Sequence, residues 1–102
     1  MGRVALLLIA GVLMTLPRGA SAADAGKGEI LAKRWCAACH VVASDQQRGT
    51  IQAPPFSAIA GKSDFNETAL AYFLLMPHPK MPDMSLTRSE AADLAAYIKS
   101  QK

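Results

Sequence analysis

The sequence predicts an all-α domain of three helices joined by long loops. Three separate stretches carry apolar residues at the helical spacing of three and four, and no stretch alternates polar with apolar in the manner of a strand. Size agrees, since 102 residues leave room for at most one domain.

The first segment reads as a leader rather than a part of that fold. Residues 4–16 are almost unbroken apolar, with Arg3 before them and Ala20-Ser21-Ala22 after, the three parts of a secretory signal peptide cut after Ala22. Thirteen residues are short for a bilayer span, which needs about 20, and an uncleaved anchor or a buried core helix is the competing reading. Residues 1–22 are thus expected as signal peptide and 23–102 as the working domain, exported to the periplasm without a membrane span. Loss of Arg3 and Arg18 leaves nine basic and eight acidic side chains, a net charge of +1. There is no basic run, and acids alternate with bases, so nothing points to nucleic acid.

The first helix is expected over residues 24–40. Glu29, Leu31, Ala32, Lys33 and Arg34 are good helix formers, and Ile30 and Leu31 with Trp35 fall on neighbouring turns of one side. Gly28 is a poor helix former, which suggests either close approach of another element or a frayed first turn. Residues 41–63 show no sustained period and hold Gly49, Pro54, Pro55 and Gly61. So long a loop is uncommon in a compact domain unless it has a task, such as wrapping a large prosthetic group.

The second helix is expected over 66–76, with Asn66 as N-cap, Glu67 in its first turn, and Leu70, Phe73 and Leu74 as its stripe before Pro77. Three prolines stiffen residues 77–83. The third helix opens on Thr87-Arg88-Ser89-Glu90, a capping box with Leu86 placed to staple onto Ala91. Ala91, Leu94, Ala95 and Ile98 continue it at helical spacing, with Tyr97 beside them.

Eighty residues make a marginal core, which normally needs a staple. A bridge between Cys36 and Cys39, the two cysteines of the chain, would close too small a loop to supply one. The string Cys36-Ala37-Ala38-Cys39-His40 offers a different solution. On a helix, residues three and four apart share a face, so the two thiols and the imidazole would point together. Thiols so spaced add across the vinyl groups of a haem, and the adjoining imidazole serves as first axial ligand of the iron; the pattern is the attachment signature of c-type haem. A redox Cys-x-x-Cys is the first alternative, echoed by Trp35 before the motif, but it needs surrounding strands. Zinc on Cys36, Cys39, His40 and His78 is the second, with a spacing unlike that of zinc fingers.

The sixth iron ligand has four candidates: Met76, Met81, Met84 and His78. Met81 lies in the stiff loop, where Pro82 biases it toward extended backbone; Met84 is its rival. Met76 reads as a core residue and His78 as a surface one.

Taken together, the chain resembles a class I cytochrome c of the small bacterial monohaem kind. The resemblance covers nearly all of residues 24–100: Gly28 eight positions before Cys36, the 36–40 box, Pro54 with Phe56, Met81-Pro82 five residues before Leu86, and Leu86-Thr87, Glu90, Asp93-Leu94 and Tyr97-Ile98. It implies a three-helix cytochrome c fold wrapped around one covalent haem c, Cys36 and Cys39 forming the thioethers, and His40 and Met81 as axial ligands. It also implies that the Pro54 carbonyl accepts a hydrogen bond from the His40 ring, and that the first and last helices cross, Gly28 and Leu31 meeting Leu94 and Tyr97.

With both axial positions filled by protein, no iron site is open to substrate. The expected function is therefore one-electron transfer between periplasmic redox partners, not enzymatic catalysis, with weak docking to a donor and an acceptor. Phe56, Ile59, Leu70, Phe73 and Leu74 are the candidate apolar shell of the haem. Lys33, Lys62 and Lys80 are scattered, and a charge of +1 supports no strong steering. The chain would act as a monomer or, alternatively, as the haem subunit of a larger dehydrogenase or oxidase.

Overall fold

A computed structural model of the chain describes residues 22–50, 52–76 and 79–102. The leader expected at 1–22 lies, except for Ala22, outside the described residues, as do Pro77 and His78. Four helices follow in order: α1 (Ala25–Trp35), α2 (Phe56–Ala60), α3 (Glu67–Leu74) and α4 (Arg88–Lys99). Among the described residues there is no strand.

Helix α4 is the centre of the molecule, packing on α1, α3 and α2. Its start is fixed by local chemistry. The Thr87 hydroxyl accepts the Glu90 amide at 3.1 Å, and the Glu90 carboxylate accepts the Thr87 amide at 3.0 Å, so two otherwise unpaired donors of the first turn are satisfied. Ala91, Asp93, Leu94, Ala95, Tyr97 and Ile98 are buried along it, and Leu86 just upstream lies against the core.

Helix α1 starts at Asp24, whose side chain accepts the Lys27 amide at 3.1 Å. It crosses α4 at Gly28. A Cβ there would stand 2.0 Å from the Asp93 carbonyl oxygen and 2.8 Å from Tyr97 Cβ, so only a hydrogen fits between the two backbones. The Asp24 amide donates to the Asp93 carboxylate at 2.7 Å, which gives that buried acid a partner at the positive end of α1.

This close crossing corrects two expectations for α1. The inward face is Gly28, Ala32 and Cys36, at successive intervals of four, with Leu31 at its flank. Ile30 and Trp35 point outward, 69% and 42% exposed. Helices whose backbones touch must turn their smallest side chains toward each other. Helix α1 also stops at Trp35 instead of running to residue 40. Its ladder ends where the amides of Cys36 and Ala37 both turn to the Ala32 carbonyl; beyond it, the amides of Cys39 and His40 both turn to the Cys36 carbonyl.

The stretch 41–63 is not loop throughout, since α2 occupies residues 56–60 near its end. Five residues hold little more than one turn, too few to show a period. Helix α3 has the expected N-cap, with Asn66 accepting the Ala69 amide at 2.8 Å, but ends at Leu74, two residues early. There the chain tightens into bonds from the Leu75 and Met76 amides back to Tyr72 and Phe73. Lys99 of α4 reaches Glu67 of α3 at 3.2 Å.

The protein-built core is thin. Four of its members are alanines (Ala32, Ala60, Ala91 and Ala95), and the largest side chains fully shut from water are Leu94 and Val42. Helix α3, although rich in apolar residues, buries none of them.

Candidate haem site

The 36–40 box sits just past the C-terminal end of α1. Cys36 caps that helix and is buried, Cys39 is exposed, and both thiols are free. Burial, with the nearby Cys39 adding to it, pushes the Cys36 thiol up to about 11. A reactive thiol is favoured at the positive N-terminus of a helix, whereas this one stands at the negative end. The site is thus poorly suited to dithiol exchange, the first alternative raised by the sequence.

The His40 ring is held from two sides. Its Nδ1 lies 2.6 Å from the Pro54 carbonyl oxygen. A carbonyl only accepts, so Nδ1 carries the proton and the lone pair of Nε2 is left for a metal. The ring also rests on Phe56, centroids 5.5 Å apart and tilted by 50°, and Phe56 meets Tyr97 edge-on at 6.3 Å. The buried Tyr97 hydroxyl donates to the Val42 carbonyl at 2.7 Å, tying α4 to the strip of chain behind His40. Pro55 does not serve His40, because its own carbonyl receives the Ala58 and Ile59 amides as α2 begins.

The loop after the box folds back over it. Thr50 donates its amide to the Cys39 carbonyl at 2.8 Å, and a Cβ on Gly49 would stand 2.6 Å from that same oxygen. The Gln46 side chain accepts the Val42 amide and donates to the carbonyls of Ala37, His40 and Arg48. Nothing in the sequence singles out Gln46, a polar residue in a stretch without a period. Gly49 was noted there only as a loop residue.

The methionines differ in their surroundings. Met84 is half-buried and packs against the core cluster, whereas Met81 is half-buried without being part of that packing. Met76, at the end of α3, is 52% exposed. Between Met84 and Leu86, Ser85 adopts a positive φ of 50°, and its amide donates to Asp83 at 2.9 Å. Of the candidate shell, Phe56 is buried; Ile59, Leu70 and Leu74 lie half-buried against the core, and Phe73 is 43% exposed. Of Lys33, Lys62 and Lys80, Lys33 is paired with Glu29 at 2.8 Å.

These residues fit a porphyrin. Two free thiols precede a histidine whose tautomer leaves Nε2 available, and an apolar helix face stands beside a core too thin to cover it. An all-α fold with such a site defines a c-type cytochrome. The cytochrome c family profile matches residues 25–102. Cytochrome c-552 of Bradyrhizobium diazoefficiens is 57% identical over 81 residues, which cover 79% of this chain and 78% of that protein. No solved structure matches the chain. The chain belongs to the cytochrome c family: it is a small class I c-type cytochrome, an electron carrier with one covalent haem c. No helix among the described residues is long and apolar enough to cross a membrane.

Proposed function

We propose that residues 1–22 are a signal peptide and that residues 23–102 form a periplasmic carrier passing single electrons between a donor and an acceptor protein. Cys36 and Cys39 hold the haem through thioethers, and His40 and Met81 ligate its iron. The haem supplies a one-electron ferric/ferrous couple, and His/Met ligation raises its potential. The observation that carries the reading is the contact of His40 Nδ1 with Pro54, which fixes the imidazole's tautomer and orientation and strengthens Nε2 as a ligand. Met81 is preferred over Met84 because Met84 is already engaged by the core. With both axial positions taken, the iron has no place for a substrate, and the role is transfer, not catalysis.

The test is the oxidised and reduced absorption spectrum of protein exported by a haem-maturing host, followed by acid–acetone extraction. Pigment that stays with the polypeptide supports the reading, and pigment lost to solvent refutes it. The weak sulfur-to-iron band at the red end should vanish in Met81→Ala and persist in Met84→Ala; the reverse pattern would reassign the ligand.

A second reading, a haem subunit bound to a larger dehydrogenase or oxidase, draws on Ile30 and Tyr72, which are 69% and 68% exposed. Elution of the purified haem protein as a monomer favours the free carrier, and co-purification with a flavin or metal enzyme favours the subunit.

A further inference from the structure

The carbonyls of Ala37 and His40 lie beyond the end of α1, outside its hydrogen-bond ladder. The Gln46 amide takes both, its Nε2 standing 2.9 Å from the Ala37 oxygen and 2.7 Å from the His40 oxygen, with the Arg48 oxygen at 2.8 Å. Two N–H bonds thus serve three carbonyls, one of them shared. The Gln46 Oε1 accepts the Val42 amide at 2.9 Å. The amide orientation follows from chemistry, because the reverse would set an oxygen against three oxygens. Gln46 itself is seated in a turn, its own amide bonded to the Ala43 carbonyl at 3.1 Å.

The His40 ring is held by Pro54 and Phe56, and its amide by the Cys36 carbonyl. Gln46 adds the restraint on the carbonyl side of His40 and grips the main chain on either side of it, at Ala37 and Val42. Ring contacts set the imidazole relative to Pro54 and Phe56, and the Gln46 bonds set the backbone from which it projects. We infer that Gln46 is a positioning residue for His40, setting the direction in which the imidazole meets the iron. The inference rests on the reading of His40 as an axial ligand.

Substitution separates the two edges of the amide. Leucine at 46 keeps the bulk and loses every bond. Glutamate keeps the acceptor for Val42 but turns an oxygen toward the three carbonyls, which repels them.

The experiment uses the exported, haem-loaded full chain with Gln46→Leu and Gln46→Glu, beside Ala91→Gly as a destabilising control on α4. The readout is the set of paramagnetically shifted haem-methyl resonances of the oxidised protein, which respond to the plane of the axial imidazole, together with the thermal midpoint. Both Gln46 variants should displace those resonances, glutamate more than leucine. Ala91→Gly should lower the midpoint and leave the resonances in place. Native resonances in Gln46→Leu, or an equal displacement in Ala91→Gly, would overturn the inference. A wild-type chain without covalently held haem would overturn the reading of His40 as a ligand, and this inference with it.

Discussion

Where α1 crosses α4, the polypeptide fills its own interior: Gly28 lets two backbones touch, Asp93 caps the approach, and Ala32, Leu94 and Tyr97 close the seam. Helix α3, which packs against the same α4, is more apolar than α1 or α4 yet buries no residue, and Tyr72 and Phe73 remain 68% and 43% exposed. Both regions lean on the same α4, yet one is complete and the other is half of an interior. The contrast shows how a chain this small divides the labour of making a core. One seam is polypeptide against polypeptide, and the remaining apolar face suits a non-protein partner, which supplies bulk that so short a chain lacks.

The largest effect should come from removing that partner. In the exported chain carrying Cys36→Ser and Cys39→Ser, amide hydrogen exchange should show protection lost through α3 and residues 79–86, with what survives confined to the α1–α4 seam. Equal protection in the two regions would erase the contrast.

Next is Gly28→Ala in the haem protein. The added methyl meets main-chain atoms, which cannot rotate away, and overpacking of this kind costs about 3 kcal/mol, readable in denaturant unfolding. A cost near zero would mean that the seam is looser than its distances imply.

On the other region, Leu74→Ala should cost about 2 kcal/mol in the haem protein, as a buried leucine does, although protein atoms leave it half open. Tyr72→Ala, more exposed on the same helix, should stay within about 0.5 kcal/mol. Equal costs would mean that the prosthetic group does not distinguish these two sides of α3.

The smallest effect tests the shared helix. Thr87→Ala removes the N-cap of α4 and should cost about 1 kcal/mol by thermal unfolding. The hydrogen bond from the Thr87 amide, helped by the Thr87 side chain, holds the Glu90 carboxyl below its ordinary value of 4.5. A carboxyl depressed in the folded state contributes stability that is complete above that ordinary value and is lost as pH falls through the folded one. Glu90→Gln should therefore flatten the acid limb of the pH–stability curve below about pH 4.5 and leave its shape near neutrality unchanged.

What could be read from the sequence was whatever local chemistry decides. Asn66, Thr87 and Glu90 announce their helix starts because a cap is a contact between near neighbours. The haem signature is legible because its chemistry is compressed into five consecutive residues. Apolarity alone points to Ile30 and Trp35 as the inner side of α1, whereas a backbone contact with Asp93, 65 residues further along from Gly28, selects the small side, which the family resemblance and not the periodicity indicates. Beyond the early end of α1 the chain is held by Gln46 and Thr50, residues whose partners lie several positions away and leave no pattern. The Pro54 partner of His40 is legible through the family resemblance; its physical reason lies in α2, whose first turn consumes the Pro55 carbonyl and whose five residues are too few to announce a helix.

The bond from Tyr97 to Val42 spans 55 residues. The haem motif is synthesised well before the tyrosine that fastens the strip behind it. Until α4 is made, that strip rests on its local ties, the Val42 amide to Gln46 and the Val41 carbonyl to Phe56. Docking of the last helix then acts as a latch on the segment that follows the motif.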